Sequence, residues 1–478
     1  MASGSRSLSL LLFSFCVVPL CFSPVAGKCH PDDEAGLLAF KAAVAGDPSG
    51  MLSTWKAGTD CCKWFGVDCQ QSDRVVTLSR GGQPNDPKSF LSGTFPPSFS
   101  KLQSLTGIYF SDLKNLTGPF PAAFFKMPKL VYIYIENCGL TGPIPADIGR
   151  MSQLGALSLA QNRFYGPIPA SISSLTGLSQ LNLGGNLLTG GVPAGITKLT
   201  QLGVLLLERN QLSGPLPNFD SFRNLRFLGL SHNKFSGPFP ASIASLSQNL
   251  AYLELGSNQF TGKIPDFLGN FRTLDTLDLS RNGFSGVVPK TFKNLTKIFN
   301  LDLSHNNLVD PFPQLGVRGI ESLDLSHNKF HLGRIPSWVT SSPIIYSLKL
   351  ANCGIKMKLD EWKPSETYFY DYIDLSFNEI TGSPVKLVNS TQYLKGFWMS
   401  GNKLQFKMTD LKLPTTLEEL DLSQNLVFGS IPGSVAKLKK LNVSKNRLCG
   451  RIPKTNFPAS AFADNLCLCG SPLPNCRR

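Results

Sequence analysis

The residues best suited to acid–base chemistry in this 478-residue chain are its five histidines, His30, His232, His305, His327 and His331. Three of them sit in the tripeptide Ser-His-Asn, at Ser231-His232-Asn233, Ser304-His305-Asn306 and Ser326-His327-Asn328, and two of those follow Leu-Asp-Leu. Serine, histidine and aspartate are the parts of a nucleophilic triad, in which one serine, one base and one orienting carboxylate converge. A catalytic set occurs once, however, whereas this tripeptide recurs at regular intervals, which is how a structural motif behaves. There is no glycine-rich phosphate loop, and no Cys-x-x-Cys pair of the kind that opens a zinc site. The expectation is therefore a chain with no enzymatic chemistry, no metal and no cofactor.

The twelve cysteines point elsewhere. Cys29, Cys61, Cys62 and Cys69 cluster near the front, and Cys449, Cys467, Cys469 and Cys476 near the back. Clusters at both ends read as disulfide-stapled caps made in an oxidising compartment. Arg6 precedes an apolar run from Leu8 to Phe22 and then small residues to Gly27, the pattern of a secretory leader over 1–27 carrying Cys16 and Cys21. That run is too short and too interrupted to span a bilayer, so no membrane insertion is expected. The formal charge of +14 suits a polyanion, but the expected compartment disfavours nucleic acid.

What holds these residues in place is a repeat. The template L-x-x-L-x-L-x-x-N-x-L-x-G-x-I-P is seen in Leu154 to Pro169 and Leu274 to Gly286, and its Asn recurs at 162, 186, 210, 233, 258, 282, 306, 328, 378, 402, 425 and 446. Cys138 and Cys353 fill the same slot, where buried thiols would substitute for the amide, and successive spacings run from 21 to 25 residues. L-x-L is a short strand with leucines inward and x residues outward. One such strand cannot bury its apolar side alone, so coils stack in parallel, and about sixteen of them span on the order of 75 Å. The 43 glycines and 34 prolines punctuate the turns. Two kinds of stretch break the pattern. Arg80 to Ser89 reads as an insertion in the first coil, and Met357 to Thr367 and Gln405 to Leu413 lack the G-x-I-P tail.

With its L-x-G-x-I-P tail the repeat resembles the plant-type leucine-rich repeat. Asp32 to Lys41, Trp55 and Cys61 to Cys69 resemble that family's N-terminal cap, and Asn465 to Gly470 with Cys476 its C-terminal cap. The resemblance implies an α/β leucine-rich-repeat solenoid with a parallel concave sheet: an N-terminal cap over 28–72, repeats over 73–453 and a C-terminal cap over 454–478. It also implies the pairings Cys29–Cys61, Cys62–Cys69, Cys449–Cys467 and Cys469–Cys476. Within the family the chain is most similar to secreted proteins without a kinase, namely polygalacturonase inhibitors and the longer DNA-damage-toleration-like group. A secreted protein of the plant apoplast or cell wall, active in defence or signalling, is what that likeness implies.

The outward column of L-x-L carries six acids, Glu254, Asp278, Asp302, Asp324, Asp374 and Asp421. They solvate the sheet or meet a cationic partner. Aromatics are more discriminating, because solvation does not call for them: Tyr132, Tyr134, Phe227, Tyr252, Phe299, Tyr346, Tyr372, Phe377 and Trp398 project from the concave face or its margins. The expected anchors are the pairs Tyr132/Tyr134 and Phe227/Tyr252. Seven basic residues between Lys437 and Lys454 make a cationic edge, either merely solvated or a contact for anionic pectin. Sequons stand at Asn115, Asn294, Asn389 and Asn442, the last in mid-strand on the concave face. The expected partner is a protein, either a polygalacturonase-like enzyme covered sterically or a ligand sensed together with a membrane receptor. A wall-attached, pectin-binding or ice-binding role is the further alternative.

Overall fold

The computed structural model describes residues 29–70, 72–317, 319–364 and 370–476. The leader expected at 1–27 lies outside them, as do the last residues of the break expected over 357–367.

Each L-x-L segment forms a three- to five-residue strand, and sixteen of these pair in parallel from Thr77–Gly81 to Lys440–Asn442. The sheet is open. Val67–Asp68 adds one antiparallel strand at the N-terminal end, and Lys440–Asn442 is the last strand at the other. Register never slips across these coils: Leu253 faces Leu277, which faces Leu301, then Leu323 and Leu348. A slip of one residue would turn a coil's leucines to solvent, so burial fixes the register. The L-x-G segments build a second parallel sheet of nine strands, from Thr117–Gly118 to Asn307–Val309. It stops there, because Asp310-Pro311-Phe312-Pro313 replaces the glycine turn, and only isolated bridges link the next coils until Thr381–Gly382 pairs with Lys403–Leu404. The convex side is made mostly of single 3₁₀ turns, most of them following the proline of a coil; Leu359–Glu361 and Met408–Asp410, in the stretches without the G-x-I-P tail, follow Lys358 and Lys407 instead.

The repeated asparagine explains the period. Asn306 donates from Nδ2 to Leu279 O (2.9 Å), Leu303 O (3.1 Å) and Ser304 O (3.1 Å), and its Oδ1 accepts from Phe284 N (3.0 Å). A tight turn after each strand leaves buried carbonyls that neither sheet reaches, and one primary amide satisfies them while tying two coils together. The ladder runs one step past the last template copy, to Asn465, which bonds Val443 O, Phe462 O and Ala463 O. At Cys353 a thiol is directed at Leu325 O and Ala351 O in the same way, but it has no carbonyl oxygen with which to accept. Both Cys138 and Cys353 are buried and unbridged; burial pushes the Cys138 thiol up to about 12 and that of Cys353 higher still.

Helix Pro31–Ala43 covers the first coil, with His30 Nδ1 accepting from Asp32 N at its start. Its buried Asp33 is held by Arg74 (2.8 and 2.9 Å) and by Val75 N (2.8 Å), so this charge is both paired and hydrogen-bonded. Disulfides join Cys29 to Cys61, Cys62 to Cys69, Cys449 to Cys467 and Cys469 to Cys476. Cys29, Cys61 and Cys62 come close enough to hold a metal, but these bonds use their sulfurs. Arg80 corrects an expectation. It belongs to strand Thr77–Gly81 rather than to an insertion, and its buried guanidinium lies over Phe65 (4.6 Å) and Trp55 (5.3 Å). The insertion begins only after that strand.

Replacing Asn306 by Ala should lower stability by about 1–3 kcal/mol, the cost of leaving buried groups unsatisfied. Asn306→Cys should lose less, since a thiol keeps one donor. Urea unfolding of both variants beside the native chain measures the difference, and equal losses would mean that the amide bonds do not set the cost.

Candidate functional site

Because register is kept, every outward position becomes a column along the concave face. The column between the two inward leucines runs Tyr134, Ser158, Asn182, Leu206, Gly229, Glu254, Asp278, Asp302, Asp324, Lys349, Asp374, Trp398, Asp421, Asn442. Two coils earlier than Ser158 a member was missed in the sequence: Tyr109 pairs with Tyr134, and Ser79 of the first strand pairs with Tyr109. The coil of Tyr109 is distorted, so the template does not align there, although the alternation Ile108-Tyr109-Phe110 carries the signal.

Three aromatic pairs stack across neighbouring strands. Phe227 and Tyr252 lie 4.6 Å apart and 12° from parallel, Tyr109 and Tyr134 5.4 Å and 12°, Tyr372 and Trp398 6.2 Å and 15°. The expected Tyr132/Tyr134 pair is thus recast. Tyr134 stacks on Tyr109 and donates from its hydroxyl to Gln180 Oε1 (3.1 Å), while Tyr132 remains 43% exposed beside them. Gly107 and Gly396 make room for this, since a Cβ at either would collide with the ring of Tyr109 or Trp398. Phe299, Tyr346 and Phe377 are exposed at the margins. Rings packed on each other but open to solvent are ordered before a partner arrives, which lowers the entropy lost on docking.

The aspartates have a structural task as well. Asp278, Asp302, Asp324, Asp374 and Asp421 each accept at Oδ1 from the backbone N–H two residues on, at 2.8 to 3.0 Å. Asn182 and Asn442 do the same with Gly184 and Ser444. The column is therefore acidic partly because a short side-chain acceptor must stand there. Glu254 makes no such bond, and burial and Asp278 raise its carboxyl above the ordinary range. Burial and Asp302 push Asp324 up to about 6, against the Lys349 ammonium at 3.7 Å. Glu208 and Asp278 are also raised, chiefly by burial.

Among the described residues the histidines form no triad-like cluster with a serine and a carboxylate. His232, His305 and His327 occupy left-handed turn positions, and the ring of His305 stacks on that of His327. At the cationic edge, Lys439 pairs with Glu418 (2.8 Å) and Lys440 with Glu419 (2.7 Å), acids that the preceding coil brings alongside. Asn115, Asn294 and Asn389 are exposed, and Asn442 is half-buried in its strand with Oδ1 accepting from Ser444 Oγ (2.8 Å). Among the described residues, no helix is long and apolar enough to cross a membrane.

Residues 30–70 match the leucine rich repeat N-terminal domain, and residues 129–151, 224–246, 248–308, 319–342 and 416–438 match leucine rich repeats. Polygalacturonase inhibitor 2 of Arabidopsis thaliana is 43% identical over 111 residues, 22% of this chain and 34% of that protein. The DNA damage-repair/toleration protein DRT100 of the same plant is 37% identical over 98 residues, 19% of this chain and 26% of that one. The chain thus aligns with about a third of the length of the curated relatives it matches. Among solved structures it is similar to PEPR1 in complex with AtPEP1 (TM-score 0.60, 26% identity, 89% of this chain and 73% of that one). The peptide hormone receptor RGFR1 in complex with RGF2 is also similar (TM-score 0.59, 27% identity, 78% and 65%).

The raised carboxyls predict a pH dependence of stability. A carboxyl harder to ionise in the folded chain than in the unfolded one contributes stability that is full below its ordinary value, 3.8 for Asp324, and is lost as pH rises through about 6. Asp324→Asn stays neutral and keeps an oxygen for Ser326 N. It should raise the melting temperature near pH 7.5, leave it little changed near pH 4, and flatten the slope between. A slope unchanged by the substitution would refute the assignment.

Proposed function

We propose that this leucine-rich-repeat protein is an extracellular binding protein of the plant apoplast or cell wall that docks a protein partner on its concave face and performs no chemistry of its own. The observation that carries this reading is the set of three stacked, solvent-facing aromatic pairs on a sheet held in constant register. A solenoid core does not call for aromatics there, whereas interface anchors are aromatic and pre-ordered. Four disulfides suit the oxidising space outside the cell. The likeness to polygalacturonase inhibitors favours steric inhibition of a pectin-degrading enzyme, with the face covering an active-site cleft. The anchors are Tyr132, Tyr134, Phe227, Tyr252, Tyr346, Tyr372 and Trp398, flanked by Glu254, Asp278, Asp302, Asp324 and Asp374.

The receptor complexes favour a second reading: a sensor without a kinase that works through a membrane receptor, since the likeness spans 89% of this chain in one case. Attachment to wall pectin through the cationic edge is a separable property, which would show as release by rising salt.

Purified protein is expected to inhibit a member of a panel of fungal and insect polygalacturonases saturably and stoichiometrically, with reducing-end release as the readout. Phe227→Ala/Tyr252→Ala should weaken that inhibition at least tenfold without shifting the melting temperature by more than a few degrees. Failure to bind any enzyme on a broad panel would end the inhibitor reading in favour of the sensor.

A further inference from the structure

Two histidines left unused by that reading stand together on the same face. His305 and His327 fill one left-handed turn slot on consecutive coils, at φ 53° and 56°, with ring centroids 4.4 Å apart and planes 24° from parallel. The coil before places Arg281 in that slot, and the coil after places Asn352. Alongside runs the acidic column, with Asp278 on the preceding coil, Asp302 on that of His305 and Asp324 on that of His327. Lys349, beyond, pairs with Asp324. Only the small Ser280, Ser304 and Ser326 lie between the two lines. The lines differ in height. Arg281 and His327 are exposed, whereas the Asp324 side chain is 15% exposed and its Oδ1 is turned to the backbone. A partner surface therefore meets the imidazoles and the guanidinium first.

Imidazole gains charge across the pH range in which a raised carboxyl loses it. Burial, Arg281 and His327 hold the His305 imidazole below its ordinary value, while burial and Asp302 lift Asp324 to about 6. At higher pH the patch sets three carboxylates against Arg281 and Lys349. As pH falls Asp324 loses its negative charge, and any proton taken up by imidazole adds positive charge to the same patch.

We propose that His305 and His327 form a proton-operated docking patch, which grips a carboxylate-rich surface of a protein partner as pH falls and releases it as pH rises. This rests on the concave face being the binding face, and it adds the partner's chemistry and its control.

The test uses the full secreted chain and a rhodamine-labelled hexaglutamate peptide, followed by fluorescence anisotropy at pH 5.5 and 7.5. The native chain is expected to bind about tenfold more tightly at pH 5.5, the scale of one or two added charges at an aqueous interface. H305Q/H327Q should gain less than twofold and match the native chain at pH 7.5. Glutamine suits the slot, since Gln161 and Gln424 already occupy it at φ 55° and 57°. His327→Gln alone, at the more exposed ring, should remove part of the gain and guards against a misfolded double variant. A native chain with no gain, or a double variant that keeps it, overturns the proposal. Loss of enzyme inhibition on the aromatic pair is read in a different assay, so failure of the inhibitor reading does not mimic failure here.

Discussion

The structure depends on one buried amide per coil. A coil of about two dozen residues cannot close its own backbone hydrogen bonds at the turn after the strand, and the carbonyls left there lie too deep for water. Asn at that slot reaches three of them and takes an N–H from the coil before, as Asn306 does. This fixes the turn and the step between coils with a single side chain. The leucines supply the driving force, since burying apolar area is what stacks the coils, but they act without direction. The amide supplies the direction.

Constant register is what turns a repeat into a surface. Each outward position is copied at every coil, so a residue type chosen at one coil acquires neighbours of the same column above and below. Aspartate is repeated because it caps the N–H two residues on, and that structural task sets the charge of the face as a by-product. The stacked aromatics depart from the template at only a few coils, some in the acidic column and some in the outward column beside it, each next to a neighbour that provides the second ring. The face is therefore an acidic and polar background, largely set by folding, on which a few coils carry stacked aromatic rings.

The ladder, the inward leucines and the solenoid were legible because they repeat, and a repeat can be averaged over many imperfect copies. What escaped does not repeat. Tyr109 sits in a coil too distorted for the template. Arg80 precedes Gly81-Gly82 and so reads as the start of an insertion, and its place over Trp55 and Phe65 depends on a cap contributed from earlier in the chain. The pairing of Lys439 and Lys440 with Glu418 and Glu419 joins neighbours one coil apart, so a reading along the chain sees only an unbroken run of positive charge. Stacking of His305 on His327 is hidden in the same way, because the residues are adjacent in space and 22 apart in sequence.

The concave sheet is continuous while the flanking sheet is not, and this divides the molecule mechanically. Over the first half, each coil is bonded to the next along two lines; from Asp310 until Thr381 meets Lys403 it is bonded along one line and a few single bridges. In a linear array the weakest nearest-neighbour interface decides where separation starts. A load along the axis therefore concentrates strain in these middle coils, and the rod behaves as a stiff front section joined to a shorter rear section by a compliant span. The span lies within the stretch that carries His327, Lys349 and Tyr372, so a partner bridging it would brace the two sections against each other and stiffen the whole solenoid.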